Sequence, residues 1–214
     1  MSAGNWCANG RKGKMRRGLT LVEVVIVLGI ITVLMGSVGF ALAEILEASD
    51  FARNLIIANF ESQRAMTEIC RSLTASSRRK DSPYRPRNHN GELAFRMVRD
   101  FNASEEKAVY ADFFVCYYLD NNTNTLRRRF RAPNGADPGD IITGPDPYYS
   151  AWQQIQQLFP GPANQEVGRF ITEFTFSIDD DLGIVSVSVV STVGSGETRA
   201  TVRKSASVRP FNTD

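Results

Sequence analysis

Glu23 is the residue of this chain whose placement asks most plainly for a chemical partner. It lies just inside a long apolar block, where a carboxylate costs on the order of 2–3 kcal/mol by insertion scales and therefore needs a partner or a purpose. Being only a turn from the block's edge, it can also snorkel toward water. Other chemistry-bearing residues are few. His89 is the only histidine and sits in a polar stretch, which nearly excludes a histidine-based metal site or a Ser-His-Asp triad. Asp137, Asp140 and Asp146 offer oxygen ligands for calcium in one stretch but lack the EF-hand spacing. Asp179-Asp180-Asp181 read as a solvated turn between strands rather than an acid pair. Cys7 lies among the first 18 residues, which leaves Cys70 and Cys116 as an even pair. In an exported domain they can form one disulfide, or they can stand as two buried thiols. There is no phosphate-cradling glycine loop, no metal cluster and no nucleophile with a histidine partner, so neither an enzyme nor a cofactor is expected.

The elements that must position Glu23 are legible around it. From Val24 to Ala43 no residue is charged, and about 20 apolar residues are what a helix needs to cross a bilayer core. Arg11, Lys12, Lys14, Arg16 and Arg17 precede the block and no acid accompanies them, so residues 1–18 carry +5. That asymmetry keeps the N-terminus cytoplasmic and sends the C-terminus outward. The chain as a whole carries +2, so without those residues the body is −3. A mildly acidic body gives no support for nucleic acid as a partner. Beyond the block, apolar residues recur at helical spacing through Ala52, Leu55, Ile56, Phe60, Met66, Ile69, Cys70 and Leu73, and no proline precedes Pro83. One continuous helix from Leu19 to about Leu73 is expected, apolar all round at first and striped on one side afterwards. Gly29, Gly36 and Gly39 permit close helix packing in an apolar medium.

After the polar stretch from Ser76 to Gly91, with its Arg78-Arg79-Lys80 run, the period changes to that of strands. Leu93, Phe95 and Met97 alternate with polar neighbours, and Val109 to Leu119 reads as a strong strand. Asp120-Asn121-Asn122-Thr123 turns it back into Thr125 to Arg131, whose Arg127, Arg128, Arg129 and Arg131 read as a charged edge that blocks aggregation. A long Pro/Gly/Asp-rich loop follows around 132–150, then a short helix over Ala151–Phe159. Strands over Phe170–Ile178, Ile184–Val190 and Thr198–Val208 close the chain as an antiparallel meander. The expected fold class is α+β.

The segment Arg16-Arg17-Gly18-Leu19-Thr20-Leu21-Val22-Glu23 resembles the processing site of type IV prepilins and type II secretion pseudopilins. That family joins a short basic leader, a glycine, an apolar first mature residue, a Thr-Leu-Val-Glu-like stretch and about twenty apolar residues. The resemblance implies that prepilin peptidase cuts between Gly18 and Leu19 and methylates the new amine of Leu19. Glu23 is then the fifth mature residue, docking the subunit through a neighbour's N-terminal amine. Leu19 stands where the family usually has Phe, a mild departure because the position needs bulk and apolarity.

The implied layout is a removed leader over 1–18, a long helix over 19–75 that anchors in membrane or filament at 19–43, and an antiparallel β head over 76–214. Looser likenesses, in Tyr117-Tyr118-Leu119-Asp120, Thr125-Leu126-Arg127-Arg128 and Ser207-Val208-Arg209-Pro210-Phe211-Asn212, are to larger minor pilins and J-class minor pseudopilins. Phe40 occupies the mature position where major pilins often carry a helix-kinking proline. The implied partners are prepilin peptidase, other pilin or pseudopilin subunits and an inner-membrane assembly platform. The implied location is the bacterial inner membrane in a single pass, with the head in the periplasm, then the fibre. Two other fates fit the N-terminus. A secretory signal peptide would be cut after Ala41-Leu42-Ala43, although this apolar stretch exceeds the usual length. An uncleaved anchor would carry a periplasmic binding protein that never polymerises.

Overall fold

A computed structural model of the chain describes residues 20–77, 85–102, 104, 107–111, 113–131 and 164–210. Gly18, Leu19, the basic run at 78–80, the acids Asp137, Asp140 and Asp146, and the short helix expected over Ala151–Phe159 lie outside the described residues. The arrangement is broadly α+β, one long N-terminal helix followed by antiparallel sheets. The chain divides into two units, Met1–Leu46 and Glu47–Asp214.

Helix α1 (Leu21–Thr74) has 54 residues and starts two residues later than the pattern predicts. It contains no proline and is rich in Leu, Ile, Val and Ala. Its residues in the first unit are exposed and almost all apolar, and α1 is long and apolar enough to span a membrane. The few hydroxyls there are satisfied by the helix itself: Thr32 Oγ1 donates to Leu28 O at 2.8 Å and Ser37 Oγ to Leu34 O at 2.8 Å. The helix ends where Ser76 turns back, its N–H and hydroxyl both donating to Leu73 O at 2.9 and 2.7 Å.

In the second unit α1 buries Ala58, Ser62, Ala65, Met66, Ile69, Ser72 and Leu73, a stripe at three- and four-residue spacing. Ile56 and Phe60, expected on that stripe, stay 69% and 64% exposed. They belong to the opposite side of the helix, so the buried stripe uses small residues where the sequence reading placed large ones.

Ten strands follow. A five-stranded sheet takes the order β1 (Arg87–His89), β2 (Glu92–Phe95), β5 (Phe114–Asp120), β6 (Thr125–Arg131) and β7 (Asn164–Gly168). A pair is made by β3 (Val98–Asn102) and β4 (Lys107–Tyr110), and a meander by β8 (Ile171–Asp179), β9 (Ile184–Val193) and β10 (Ala200–Val208). The strong strand expected over Val109–Leu119 is divided. Ala111 N–H donates to Met97 O at 2.9 Å, so the chain leaves the β3–β4 pair before β5 begins. One core joins α1 to both larger sheets, with Ile69 and Leu73 from the helix, Phe95 and Tyr117 from the five-stranded sheet, and Ile171 and Val187 from the meander. Tyr117 is fully buried, and its hydroxyl shares a 2.8 Å hydrogen bond with Ser72 of the helix.

Three polar residues of α1 at heptad spacing hold successive pieces of the second unit. Asn54 Nδ2 donates to Thr198 O at 2.9 Å, Glu61 Oε2 accepts from Arg169 N–H at 2.9 Å, and Glu68 pairs with Arg128. The backbone comes very close at two of these places. A Cβ on Gly194 would lie 2.5 Å from Asn54 Nδ2, and one on Gly168 would lie 3.0 Å from Ala65 Cβ.

Of the two options for Cys70 and Cys116, the structure has free thiols, Cys70 half-buried and Cys116 buried. Side chains alternate along β5, so Val115 and Tyr117 enter the core with α1 while Phe114 and Cys116 form a separate cluster with Ala94. Cys70 packs against the first of these clusters and Cys116 belongs to the second. Burial pushes the Cys116 thiol from 9.0 up to about 12, the charges of Arg131 and Arg87 opposing it. The unfolded chain therefore ionises first, unfolding releases a proton between those limits, and stability falls as pH rises above 9. A maleimide at pH 8 should label Cys70 in the native protein and reach Cys116 only after denaturant. Rapid native labelling of Cys116 would contradict this packing, and Cys116→Ala should flatten the alkaline loss of stability.

Candidate functional site

Thr20 and Glu23 close on one another at the start of α1. The Glu23 carboxylate accepts from Thr20 N–H at 2.8 Å and from the Thr20 hydroxyl at 3.0 Å. In return Glu23 N–H donates to Thr20 Oγ1 at 3.3 Å. This is a capping box: an N-cap hydroxyl and an acid three residues on satisfy each other's backbone donors. The sequence alone points Glu23 either to an outside partner or to water. The Thr-x-x-Glu signature was there to be read, and its meaning is that the helix itself supplies two donors to Glu23. Both residues are exposed, so the carboxylate is open to a further cation. Val24–Ala43 then continues as exposed helix.

The arginine-rich return strand is the second place where charge concentrates. The reading of it as a charged edge is corrected, because β6 runs between β5 and β7 and is not an edge. Its charges are met by acids of the same unit. Arg127 pairs with Asp120 at 3.3 Å, and Arg128, 3% exposed, pairs with Glu68 of α1 and donates to Gln165 of β7. Arg129 and Arg131 converge on the buried Glu92, the latter at 3.4 Å. Arg129 also lies over the Tyr118 ring, 4.4 Å from its centroid. Burial, reinforced by the charge of Arg131, pulls the Arg129 guanidinium down to about 10. The run is thus a structural network that ties β2, β5, β6, β7 and α1 together.

Two shallow grooves formed by described residues lie on the surface of the second unit. One of about 390 Å³ lies beside α1, between Phe60, Arg64 and Thr67 of the helix and Gln165 and Val167 of β7. The other, of about 380 Å³, crosses the meander and is lined by the hydroxyls of Thr175, Ser177, Ser186, Ser188, Ser205 and Ser207. Among the described residues no group of three or more His, Cys, Asp or Glu could hold a metal ion. The calcium candidates fall outside those residues.

Removing the charge of Glu68 leaves Arg128 buried beside an uncharged partner, a class of change that costs about 3–5 kcal/mol when the pair is fully enclosed. Glu68 is one-third exposed, which reduces the expected loss for Glu68→Gln to about 2 kcal/mol. Urea denaturation of the detergent-solubilised chain measures this. The double variant Glu68→Gln/Arg128→Met should recover most of the loss, and an unchanged midpoint in the single variant would refute the pairing.

Compared with protein-family models, with curated proteins and with solved structures, the chain matches none.

Proposed function

We propose that this chain is a pilin-like structural subunit, processed by prepilin peptidase and assembled as a minor component of a type IV pilus or a type II secretion pseudopilus. The observation that carries the reading is the order of parts at the N-terminus: five cations, Gly18-Leu19, Glu23, then the uncharged run Val24–Ala43. A conventional anchor has no need of an acid at the head of its apolar run, and Glu23 sits where a cut after Gly18 would leave a free amine four residues away. The exposed apolar first part of α1 adds weight, because such a surface must be buried in lipid or against other helices.

The cut would do three things at once. It removes +5 from the chain, releases the apolar segment from its cytoplasmic basic flank, and creates the Leu19 amine for methylation. In a fibre, a carboxylate and an ammonium that are both taken out of water favour the register that pairs them. An inner-membrane assembly platform would add such subunits one at a time, with their heads in the periplasm.

A second reading is favoured by the capping box. If Glu23 serves only its own helix, the chain is a single-pass anchored periplasmic binding protein that does not polymerise. Three variants separate the two roles. Glu23→Gln keeps a side chain able to complete the capping box but removes the charge. Thr20→Ala weakens the cap, by about 1 kcal/mol in typical helices, and keeps the charge. Glu23→Ala removes both. Cleavage and incorporation into sheared fibres are then followed for each. Glu23→Gln should be cleaved yet fail to enter fibres, while Thr20→Ala should still enter them. Normal incorporation of Glu23→Gln would sink the assembly role, and a mature N-terminus at Glu44 or Met1 instead of Leu19 would sink the processing step.

A further inference from the structure

Two asparagines of the chain stand in the Asn-X-Ser/Thr pattern, Asn102-Ala103-Ser104 and Asn121-Asn122-Thr123. This tripeptide is the acceptor for N-linked glycosylation in exported proteins and belongs on surface turns. The pattern by itself is common, so placement decides. Asn121, Asn122 and Thr123 all lie exposed in the turn that joins β5 to β6. The turn is held by its neighbours and not by the acceptor. The Asp120 carboxylate accepts from Asn122 N–H at 3.1 Å and pairs with Arg127 at 3.3 Å, and Thr123 N–H donates to Asp120 O at 3.3 Å. Asn124 takes up the left-handed conformation, φ 49°, that returns the chain into β6. Among the described residues no hydrogen bond engages the Asn121 carboxamide. Asn102 differs on each point: it is half-buried at the end of β3, and its Oδ1 accepts from Ser104 N–H at 3.1 Å.

We propose that Asn121 is an N-glycosylation acceptor, taking an oligosaccharide from a polyprenyl-diphosphate donor at the outer membrane face through a membrane oligosaccharyltransferase. The Asn121 Nδ2–C1 bond forms as the C1–O bond to the diphosphate breaks. The lipid diphosphate leaves with the bonding electron pair, and the transferase base takes one amide proton. The proposal rests on the outward placement of the head in the reading above.

Trypsin cuts after Arg99, Lys107 and Arg127 and so puts the two asparagines on different peptides. In protein isolated from its own cells, mass spectrometry should find a glycan on the peptide spanning 108–127. Thr123→Ala should lose it, Thr123→Ser should keep it, and the Asn102 peptide should be bare. The N-terminal peptide is read from the same digest. A bare 108–127 peptide overturns the proposal whatever the N-terminus, and with Leu19 at the N-terminus the pilin-like reading survives it. A glycan at Asn121 with an N-terminus at Met1 upholds the acceptor and removes the pilin-like reading.

Discussion

Among the described residues the first part of α1 presents an apolar surface left exposed, and the way its polar groups are met follows from that constraint. A helix is one of the two forms in which backbone polar groups are all satisfied without water. In this segment the side-chain hydroxyls also turn inward, Thr32 and Ser37 each bonding to a carbonyl of their own helix. The N-terminal end of such a helix still has free N–H groups, and the Thr20–Glu23 box meets part of that demand. Glu23 is therefore tolerable in an apolar setting because it works for the helix. A carboxylate with two donors already in hand can be carried into a low-dielectric medium at less cost than a bare one.

The second part of α1 faces a different problem. Once the helix carries a polar side, one stripe must be buried by something with a matching surface. The stripe includes the small Ala58, Ser62, Ala65 and Ser72 beside Met66, Ile69 and Leu73, and the small members allow the sheets to come close. Close approach brings backbone carbonyls and N–H groups of the segments that link the strands against the helix, where they need partners. Asn54 and Glu61 supply them, and Glu68 supplies a counter-charge to Arg128. The heptad spacing of these three residues follows from the geometry. Seven residues bring a helical position back to nearly the same side, so one flank meets each successive element.

What the sequence disclosed, and what it hid, follows from whether side chains or neighbours decide the structure. The helix was legible because twenty uncharged residues and the absence of proline leave little alternative. The meander was legible because Phe174, Phe176 and Ile178 alternate with polar residues and three acids mark the turn. By contrast, β7 reads Asn-Gln-Glu-Val-Gly, a poor strand by composition. It is a strand because β6 offers it a row of backbone partners. The β1–β2 hairpin was missed although Asn90 and Gly91, at φ 53° and 83°, form the tight turn that Asn-Gly favours. Its flanks, Arg87-Asn88-His89, lack the apolar alternation that draws attention to such a turn. Ile56 and Phe60 differ for another reason: apolar character at helical spacing points to the buried stripe, but there the small Ala58 and Ser62 are what the sheets pack against.

The same distinction bears on the functional end of the molecule. At Glu23 the capping box and the proposed assembly role would both call on one carboxylate, and a sequence motif cannot weigh them. Geometry can, in part. In the capping box, Thr20 N–H and the Thr20 hydroxyl both reach the same oxygen, Oε2. The second carboxylate oxygen takes no part in these bonds and retains its acceptor capacity. Capping and the proposed assembly role would therefore be compatible at the level of atoms: one oxygen holds the helix start while the other keeps its acceptor capacity. A residue that answers both demands need not be released from the first to meet the second. Thr20 and Glu23 thus work as a pair at the head of a segment whose other hydroxyls, Thr32 and Ser37, are turned to carbonyls of their own helix.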